Sequence, residues 1–256
     1  MLALLAQLES VVRNPQANAE RAVETLAAHP EADVAVFPEL FLSAYDLGAV
    51  DETARPVECD ELAVVAGAAA ASRTAVVIGF AERGGDGGLF NSVACFDRTG
   101  TAAGVYRKAQ LFAGERDVFR PGRELRVVRL AGLAVALLIC FDVEFPEPAR
   151  ALAAAGAELL VTASANMVPY AADHELATRA RALENHLPHL YANATGSIGG
   201  LEFVGRSRSV GSSGEVLAEA GAGEELLLAP VGTAGARDES LDYLRQLPEP
   251  LPVVAG

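Results

Sequence analysis

The sequence contains no tryptophan, and only one of its twenty lysine and arginine residues is a lysine, Lys108. Arginine occupies every other position of this kind. An arginine stays protonated and presents a flat array of donors, whereas the pKa of a lysine ammonium responds to burial and to neighbouring charges. Because that response suits a catalytic site, the single lysine is a candidate functional residue.

Cysteine is also scarce, and the three cysteines, Cys59, Cys95 and Cys140, are widely separated. An odd number at such spacing argues against a disulfide framework and against a zinc ribbon. A thiol redox protein would need a resolving cysteine near Cys140, and neither of the others is close in sequence. Cys59 and Cys95 are therefore predicted to be structural, and a reducing cytoplasm is the expected location.

Long hydrophobic runs and an excess of positive charge are absent as well. The longest apolar run, residues 130–141, has about a dozen residues, whereas a membrane-spanning helix needs ~20. The apolar N-terminal segment has no basic leader and is predicted to be a first strand rather than a signal peptide. A net charge of −14 repels phosphate groups and anionic lipid. Neither nucleic acid nor a membrane is expected as a partner.

Apolar residues make up 51% of the sequence, enough for a large core at this length. Short β-rich runs alternate with alanine-rich amphipathic segments, the pattern of a layered α/β fold. Strands are predicted at 2–7, 33–37, 75–80, 91–96, 104–107, 125–130, 133–140, 159–163, 189–193, 207–210, 216–220 and 226–230, and helices at 15–28, 61–72, 146–155 and 173–187.

No segment has the composition of a linker, so residues 1–256 are predicted to form one domain. The last helical pattern places Leu176, Ala180 and Leu183 on one face. Residues 240–256 carry leucine and tyrosine side chains among prolines, which is too apolar for a free tail. This tail is predicted to lie at a subunit interface.

Three residue types suggest nucleophilic catalysis. Cys140 ends an apolar strand before a polar turn, and a nucleophilic role would require a base and a cation nearby. Glu39 follows a strand at Phe37-Pro38, where the proline ends ladder pairing and the carboxylate can point into a cleft. The alternatives are a buried structural cysteine, a solvated acid and a surface lysine at position 108.

Taken together, three ordered segments resemble the signature blocks of the nitrilase superfamily, the carbon–nitrogen hydrolases. The resemblance covers nearly the whole chain and also includes Asn91-Ser92, the segment 164–167 and the segment 179–185. Gln110 departs from the histidine that is usual in this family. The three blocks are Phe37-Pro38-Glu39-Leu40-Phe41, Tyr106-Arg107-Lys108 with Gln110-Leu111-Phe112, and Cys140-Phe141-Asp142-Val143-Glu144-Phe145-Pro146-Glu147.

The resemblance implies a four-layer α-β-β-α sandwich that acts as an amidase. Cys140 would attack an amide carbonyl, with Glu39 as general base, to form a thioester that water then hydrolyses. Lys108 and the backbone N–H of Phe141 would stabilise the negative charge on the carbonyl oxygen. The family mechanism requires no metal and no organic cofactor.

A second glutamate in this superfamily follows the lysine and orients the lysine and the substrate. Glu115 resembles that residue, with Asp117 as an alternative. Glu115 could also be an exposed loop acid that is paired with Arg116. The four histidines, including His174 and His186, have no metal-ligand spacing, and these two are predicted to be solvated positions of a helix.

The residues after the cysteine indicate the substrate class. Relatives that act on carboxylate-bearing substrates often have an arginine there, and this chain has Glu144, which predicts a neutral or amine-bearing amide. Alternatively, Glu144 faces away and pairs with an arginine such as Arg179. Nitrilases proper commonly have a tryptophan after the cysteine, which this chain lacks. The predicted walls of the substrate pocket also include Tyr45, Asn166 and Met167.

Two other functions remain open at this point. One is an N-carbamoyl or omega-amide hydrolase of the same superfamily, and the other is a non-catalytic relative that binds a ligand or a partner. The full set of Glu39, Lys108 and Cys140 favours an enzyme. Members of the superfamily usually pair through one helical layer, so a homodimer or a larger even oligomer is expected.

Overall fold

Strands and helices alternate in the computed structural model, which describes residues 1–234, 240, 242–244 and 246. Two 3-10 helices, Leu47–Ala49 and Cys140–Glu144, accompany the longer elements. In chain order the elements are β1 (Leu2–Gln7), α1 (Pro15–Ala28), β2 (Val34–Val36), α2 (Val50–Thr53), α3 (Asp60–Ser72), β3 (Ala75–Arg83), β4 (Leu89–Phe96), β5 (Ala102–Arg107), α4 (Glu115–Val118), β6 (Val127–Leu130), β7 (Leu133–Ile139), α5 (Pro146–Ala154), β8 (Leu159–Ser164), α6 (Ala171–Asn185), β9 (His189–Asn193), β10 (Thr195–Ile198), β11 (Leu201–Val204), β12 (Arg208–Val210), β13 (Val216–Glu219) and β14 (Glu225–Pro230).

The strands form two six-stranded sheets and one short hairpin of β10 and β11. The first sheet has the order β14-β1-β2-β3-β4-β5, and the second has the order β13-β12-β9-β8-β7-β6. In the first sheet β1, β2 and β3 run parallel, and in the second β7, β8 and β9 do so. Parallel neighbours end at the same edge of a sheet, so the segments that follow β7 and β8 emerge side by side.

The two sheets pack face to face, and a helical layer covers each outer face. Helices α1 and α3 lie on the first sheet, and α5 and α6 lie on the second, so the predicted four-layer α-β-β-α sandwich is confirmed. Representative buried residues are Leu5, Val77, Leu137 and Val161 between the sheets, Leu26 and Val65 under the first helical layer, and Leu152 and Ala177 under the second.

Local sequence explains where several elements begin. The side chain of Asn14 accepts a hydrogen bond from the backbone N–H of Ala17 (3.1 Å), and Pro15 occupies the first helical position, where its missing N–H is harmless. Pro146 begins α5 in the same way. Along β4, alternate residues Val93 and Cys95 face the core between the sheets, while Ala94 and Phe96 face the helical layer.

All of the predicted strands and helices are present, with ends that differ by a few residues. The helix expected at 61–72 begins one residue earlier, and the strand expected at 75–80 continues to Arg83. The sequence patterns missed the hairpin of β10 and β11 and the short helices α2 and α4. These elements are only four residues long, too short for a periodic pattern to be visible.

Two expectations about α6 need correction. Leu176 is 71% exposed, and Leu183 is also on the outer side, so the apolar face predicted from spacing is not the face that packs on the sheet. The buried face instead carries His174, Thr178 and other polar residues that hydrogen-bond inside the protein. His174 and His186 are buried, and the prediction that they are solvated is wrong.

Most of the tail 240–256 lies outside the described residues. Within it, the ring of Tyr243 stacks on His186 with the ring centroids 5.1 Å apart, and Leu244 packs against the core beneath α5 and α6. The predicted interface role of this tail stays a prediction. No helix in the described ranges is both long enough and apolar enough to cross a membrane.

Candidate active site

Three strands of the two sheets end close together on the same side of the sandwich. Glu39 follows β2, Lys108 follows β5, and Cys140 follows β7, so the three residues come from both sheets. The backbone N–H of Glu39 donates to the carbonyl oxygen of Ser164 at the end of β8 (3.3 Å), which joins the two sheets at this point. The structure therefore brings together the three residues that the sequence singled out.

Gly79 in β3 allows the Glu39 segment to approach the sheet. A Cβ atom at position 79 would lie 2.3 Å from the carbonyl oxygen of Pro38 and 2.8 Å from the carbonyl carbon of Glu39. Real Cβ atoms are not found at such distances, so only glycine fits here. The backbone of Leu40 then turns through a positive φ of 52°. The position of the Glu39 carboxylate thus depends on a glycine in the neighbouring strand.

Lys108 lies at the centre of a buried ion cluster. Its ammonium is 2.5 Å from Oε1 of Glu39 and 2.8 Å from Oε1 of Glu115, and the side chains of all three residues are fully buried. The Tyr45 hydroxyl donates to Oε1 of Glu115 (2.8 Å), and the backbone N–H of Phe112 donates to Oε2 (2.8 Å). These contacts hold the Glu115 carboxylate against the lysine.

Glu115, rather than Asp117, is the acid in this cluster. Glu115 begins α4 and points inward, whereas Asp117 is exposed on the same short helix. The alternative in which Glu115 is an exposed acid paired with Arg116 is wrong, because Arg116 instead donates to the carbonyl oxygen of Leu111 (3.1 Å).

Asn91 in β4 fixes one oxygen of Glu39. Its side-chain amide Nδ2 lies 2.7 Å from Oε1 of Glu39 and 3.3 Å from Oε1 of Glu115, and its backbone carbonyl oxygen accepts a hydrogen bond from the backbone N–H of Lys108 (2.8 Å). No described residue donates a hydrogen bond to the second oxygen of Glu39, Oε2. One carboxylate oxygen is therefore anchored, while the other remains able to accept a proton.

Burial and charge shift the pKa values of this cluster in ways that suit acid–base chemistry. Burial raises the pKa of Glu39 to about 7, partly offset by the positive charge of Lys108. Burial alone would lower the pKa of Lys108, but the carboxylates of Glu39 and Glu115 raise it above its ordinary value. Lys108 thus stays charged, while Glu39 can exchange a proton near neutral pH.

Cys140 occupies a sharp turn between β7 and the 3-10 helix Cys140–Glu144. Its φ is +42°, a left-handed conformation that is strained for a residue with a Cβ. Asp142 holds the turn. Its carboxylate accepts hydrogen bonds from the backbone N–H groups of Gln110 (2.8 Å) and Ile139 (2.9 Å) and from the Tyr106 hydroxyl (2.8 Å). Asp142 therefore ties the Cys140 turn to the segment that carries Lys108.

The sulfur of Cys140 is largely buried. Burial and the negative charge of Glu39 raise the pKa of the thiol, and Lys108 together with hydrogen bonding from Ser164 and Ala165 only partly opposes this shift. Cys140 is consequently a thiol at neutral pH. A nucleophilic role would require a base to remove its proton.

A small pocket with a volume of about 20 Å³ opens at Cys140. The ring of Phe112 packs edge-on against the rings of Phe141 (5.3 Å between centroids) and Tyr170 (5.7 Å). These aromatic rings form one wall of the pocket. The pocket is lined by Tyr45, Phe112, Cys140, Phe141, Glu144, Ala165, Asn166, Met167, Tyr170 and His174.

The four residues expected to bind substrate, Tyr45, Glu144, Asn166 and Met167, all line this pocket. The Glu144 carboxylate contacts Nε2 of His174 (3.2 Å) rather than Arg179. Arg179 is turned away and donates to the carbonyl oxygen of Gly214. The alternative of a Glu144–Arg179 pair is therefore wrong, while the substrate-binding roles stay predictions.

Sequence reasoning assigned no role to four residues that the structure places at the site, namely Asn91, Asp142, Ser164 and His174. Asn91 could have been found, because Asn91-Ser92 is part of the family resemblance and its strand pairs with β5, which leads to Lys108. Asp142 is part of the cysteine block. Ser164 and His174 lie more than twenty residues from Cys140 in the sequence. Only the tertiary structure brings them close to it.

A larger groove of about 790 Å³ lies elsewhere, beside β4 and β5, and does not include Cys140. Arg107 lies there over the ring of Phe90 (3.7 Å to the centroid) and forms an ion pair with the buried Glu82. The charges of Arg107 and Glu82 are paired with each other, and no cysteine that could act as a nucleophile is among the residues that line the groove. Within the described residues there is no cluster of three or more side chains suited to hold a metal ion.

A buried glutamate, lysine and cysteine thus lie together at the strand ends of a four-layer α-β-β-α sandwich. The chain belongs to the carbon-nitrogen hydrolase family, whose family model matches residues 2–238. It is a hydrolase that acts on carbon–nitrogen bonds other than peptide bonds, and the predicted family and amidase class are confirmed.

Similar proteins support this assignment. An (R)-stereoselective amidase from a Pseudomonas species is 40% identical over 196 residues, which cover 76% of this chain and 71% of the relative. The crystal structure of an amidase from Nesterenkonia sp. matches with a TM-score of 0.86 at 30% identity and covers 96% of this chain and 92% of the other. Variants of that amidase carry the acetamide moiety of fluoroacetamide on the active-site cysteine or bind butyramide.

Proposed function

We propose that this protein hydrolyses a small neutral or amine-bearing amide to the acid and ammonia, with Cys140 as the nucleophile. The observation that carries this proposal is the buried cluster of Glu39, Lys108 and Glu115 beside Cys140. A charged lysine held between two carboxylates is costly to bury, and this arrangement is useful where negative charge must be stabilised during a reaction.

The first step is attack by sulfur. Glu39 accepts the thiol proton through its unanchored oxygen, since a pKa of about 7 makes it a suitable base. The sulfur then bonds to the amide carbonyl carbon, and the carbonyl π electrons move onto the oxygen. Lys108 and the backbone N–H of Phe141, near the start of the 3-10 helix, stabilise that oxygen.

Collapse of this intermediate breaks the carbon–nitrogen bond. Glu39 returns the proton to the leaving nitrogen, ammonia departs, and the acyl group remains on Cys140 as a thioester. Glu39 next removes a proton from water, and the hydroxide adds to the thioester carbonyl. Loss of the thiolate releases the acid, and the proton on Glu39 restores the thiol. Glu115 keeps Lys108 in place throughout.

The pocket supports a short substrate without a carboxylate. Aromatic side chains form much of its wall, and Glu144 contributes a carboxylate at one side. A second carboxylate beside Glu144 would be repelled, which disfavours the omega-amide and N-carbamoyl amino acid alternatives. The binding of butyramide by the amidase from Nesterenkonia sp. also supports a short amide.

The test is ammonia release from a panel of short aliphatic, amino-acid, carbamoyl and omega-monocarboxylate amides and nitriles. We expect turnover of aliphatic or amine-bearing amides by the wild type and none by Cys140→Ala, whose folding circular dichroism would verify. Release by both proteins would contradict the nucleophilic role of Cys140. Silence across the panel from a folded wild type would favour a ligand-binding relative.

We infer in addition that the protein works as one domain in a homodimer or larger even oligomer, paired through the layer of α5 and α6. Leu176 and Leu183, seven residues apart on the outer face of α6, are both exposed and leave an apolar strip on that helix. Light scattering should report a dimer for the wild type, and a smaller species for Leu176→Glu. A monomeric wild type would contradict the inference.

We also propose a cytoplasmic location. Its support is that Cys59, Cys95 and Cys140 are all free thiols, and the proposed reaction needs Cys140 reduced. Location of a tagged protein in fractionated cells would test it, and recovery from an oxidising compartment would contradict it.

A further inference from the structure

The carboxylate of Asp142 connects the two sheets beside the active site. Its Oδ2 atom accepts hydrogen bonds from the Tyr106 hydroxyl (2.8 Å) and from the backbone N–H of Ile139 (2.9 Å), and its Oδ1 atom accepts one from the backbone N–H of Gln110 (2.8 Å). Tyr106 belongs to β5 in the first sheet, whereas Ile139 ends β7 in the second. Asp142 and Tyr106 are both buried. The three hydrogen bonds therefore form a buried cross-link between the sheets.

This cross-link reaches both groups that are proposed to stabilise the negative charge on the carbonyl oxygen. Its donors on the side of the first sheet lie two residues before and two residues after Lys108. On the side of the second sheet, its donor immediately precedes Cys140 and its acceptor immediately follows Phe141. The N–H of the peptide between Cys140 and Phe141 is the second proposed donor to that oxygen. One side chain thus joins the segments that carry the two donors, although these segments extend from different sheets.

Lys108 has separate attachments on the side of the first sheet. Its backbone N–H donates to the carbonyl oxygen of Asn91 (2.8 Å), and its carbonyl oxygen accepts from the backbone N–H of Gly122 (2.8 Å). Its ammonium contacts the carboxylates of Glu39 and Glu115. The position of the ammonium therefore does not depend on the cross-link.

The peptide after Cys140, by contrast, needs an external restraint. Cys140 has a φ of +42°, and a rotation that relieved this strained conformation would also turn the N–H of Phe141. Strain of this kind persists only where the surrounding contacts over-determine the backbone. Asp142 supplies such contacts, because its carboxylate joins the residue before Cys140 to the segment of Lys108.

The opposite end of the 3-10 helix that begins at Cys140 is held from α6. The buried Arg181 donates to the carbonyl oxygens of Val143 (3.0 Å) and Glu144 (3.1 Å). Loss of the Tyr106 hydroxyl would leave this end of the helix attached. Its effect should therefore be confined to the turn at Cys140.

We propose that the cross-link made by Asp142 aligns the backbone N–H of Phe141 with the ammonium of Lys108, so that both bind the carbonyl oxygen when it becomes negatively charged. The proposal deepens the proposed function and rests on it, because it concerns the same reaction. Asp142 and Tyr106 are positioning residues that act through the N–H of Phe141. Negative charge collects on this oxygen during both formation and hydrolysis of the thioester, so a loss of alignment should slow both steps.

Tyr106→Phe removes a single oxygen atom from the cross-link and leaves both backbone hydrogen bonds of Asp142 in place. We expect kcat for a short aliphatic amide to fall by about tenfold or more and KM to stay within about twofold, because the oxygen is fully charged only beyond the ground state. Asp142→Asn should have a larger effect. In either orientation its amide nitrogen would face a backbone N–H, since each carboxylate oxygen accepts from one.

The second measurement is a reaction of Cys140 that involves no carbonyl oxygen. The thiolate attacks methyl methanethiosulfonate, a disulfide to the methylthio group forms, and methanesulfinate departs with the electron pair of the broken sulfur–sulfur bond. Mass spectrometry of the Cys140 peptide gives the rate, with Cys140→Ala as the blank. We expect the rate in Tyr106→Phe to stay within about twofold of the wild type, because this reaction needs only the thiol and its base. Equal falls in this rate and in kcat would overturn the proposal, since the substitution would then act on the sulfur.

Ser92→Ala is the matched control for Tyr106→Phe. Ser92 lies in β4 beside β5, and its buried hydroxyl donates to the buried carboxylate of Glu82 (2.7 Å) outside the site. Each variant loses one hydrogen bond from a buried hydroxyl to a buried carboxylate, so both melting temperatures should fall. We expect only Tyr106→Phe to lose kcat.

Two results separate this proposal from the function on which it rests. A Tyr106→Phe variant that retains the kcat of the wild type, or one that loses no more than Ser92→Ala, would overturn the alignment role while the amidase function stands. Ammonia release that is absent from the folded wild type, or equal in Cys140→Ala, would overturn the proposed function and this inference with it.

Discussion

The Lys108 ammonium lies 2.5 Å from Oε1 of Glu39, although 69 residues separate the two in the chain. This contact joins the end of a central strand to the end of an edge strand of the first sheet. Neither charge has access to water, so each depends on the other for stabilisation, and Glu115 further stabilises the ammonium of Lys108. The ammonium of Lys108 is therefore a fixed charge at the site that does not have to reorganise during the reaction.

Lys108→Arg should reduce kcat by about a hundredfold or more, because a guanidinium is larger and cannot occupy the same point between two carboxylates. The control is Arg107→Lys, the reverse exchange at the adjacent residue. Arg107 pairs with Glu82 in the groove outside the site, so this variant should retain activity. Steady-state ammonia release compares the two. Near-normal turnover by Lys108→Arg would show that a point charge is not required.

Glu115→Gln should lower kcat by about tenfold or more, because Lys108 would lose one of its two carboxylate partners. Asp117→Asn is the matched control, since Asp117 lies on the same turn of α4 but is exposed. We expect the control to keep both its activity and its melting temperature. Similar activity losses in the two variants would contradict a specific role of Glu115.

Gly79→Ala should destabilise the protein by about 1–3 kcal/mol and lower its activity, because the new Cβ would displace the backbone at Pro38 and Glu39. Gly67→Ala offers the contrast. Gly67 lies in α3 with no atom near its Cβ position, so alanine there should stabilise the protein by about 0.5–1 kcal/mol. Urea unfolding and ammonia release provide the measurements. A Gly79→Ala variant with unchanged stability would contradict the close approach.

The kcat/KM value should fall below about pH 7, by about tenfold per pH unit at the acid end, because a protonated Glu39 cannot accept the thiol proton.

The raised pKa of Glu39 also affects the stability of the protein. Burial raises the pKa of Glu39 above its unfolded value of 4.5, so the folded state binds this proton more tightly and loses stability as the pH rises from about 4.5 to about 7.

Glu39→Gln should remove that part of the pH dependence. Melting temperatures of the wild type and the variant, measured from pH 4.5 to 7, test the expectation. A variant whose loss of stability over this range equals that of the wild type would show that Glu39 does not bind the proton. The kinetic pKa belongs to the coupled set of Glu39, Lys108, Glu115 and Cys140.

Glu144→Arg should weaken turnover of amine-bearing amides and favour substrates with a free carboxylate, because the charge at the pocket wall reverses. Glu147→Arg provides the control, since Glu147 is exposed at the start of α5 and outside the pocket. The ratio of kcat/KM for an amine-bearing and an acidic amide is the measurement. An unchanged ratio in Glu144→Arg would remove Glu144 from substrate selection.

Much of the fold was predictable because its elements have strong local patterns. The strand at 2–7 and the helix at 15–28 match the structure at both ends, since apolar runs, the Asn14 cap and Pro15 mark them. Helix α6 shows where such reasoning fails. Its leucines suggested the core-facing side, but that side carries His174 and other polar groups whose partners lie on distant strands.

The residues of the candidate site were likewise predictable only in part. The sequence singled out Glu39, Lys108 and Cys140, because unusual residue types stand in recognisable blocks. It did not decide whether Glu115 or Asp117 is the second acid of the cluster, because both fit the spacing. A single helical turn determines which of the two points inward. It also left the orientation of Glu144 open, since the contact with His174 depends on how α6 packs.

The sequence by itself determined the α/β alternation, the family and the three residues proposed to react, because these depend on residue type and on order along the chain. The tertiary structure alone decided the second acid, the partner of Glu144 and the buried contacts behind Cys140. Such contacts form between residues of different strands and helices. Their hydrogen bonds and charges depend on distances of a few ångströms, which packing sets and sequence spacing does not.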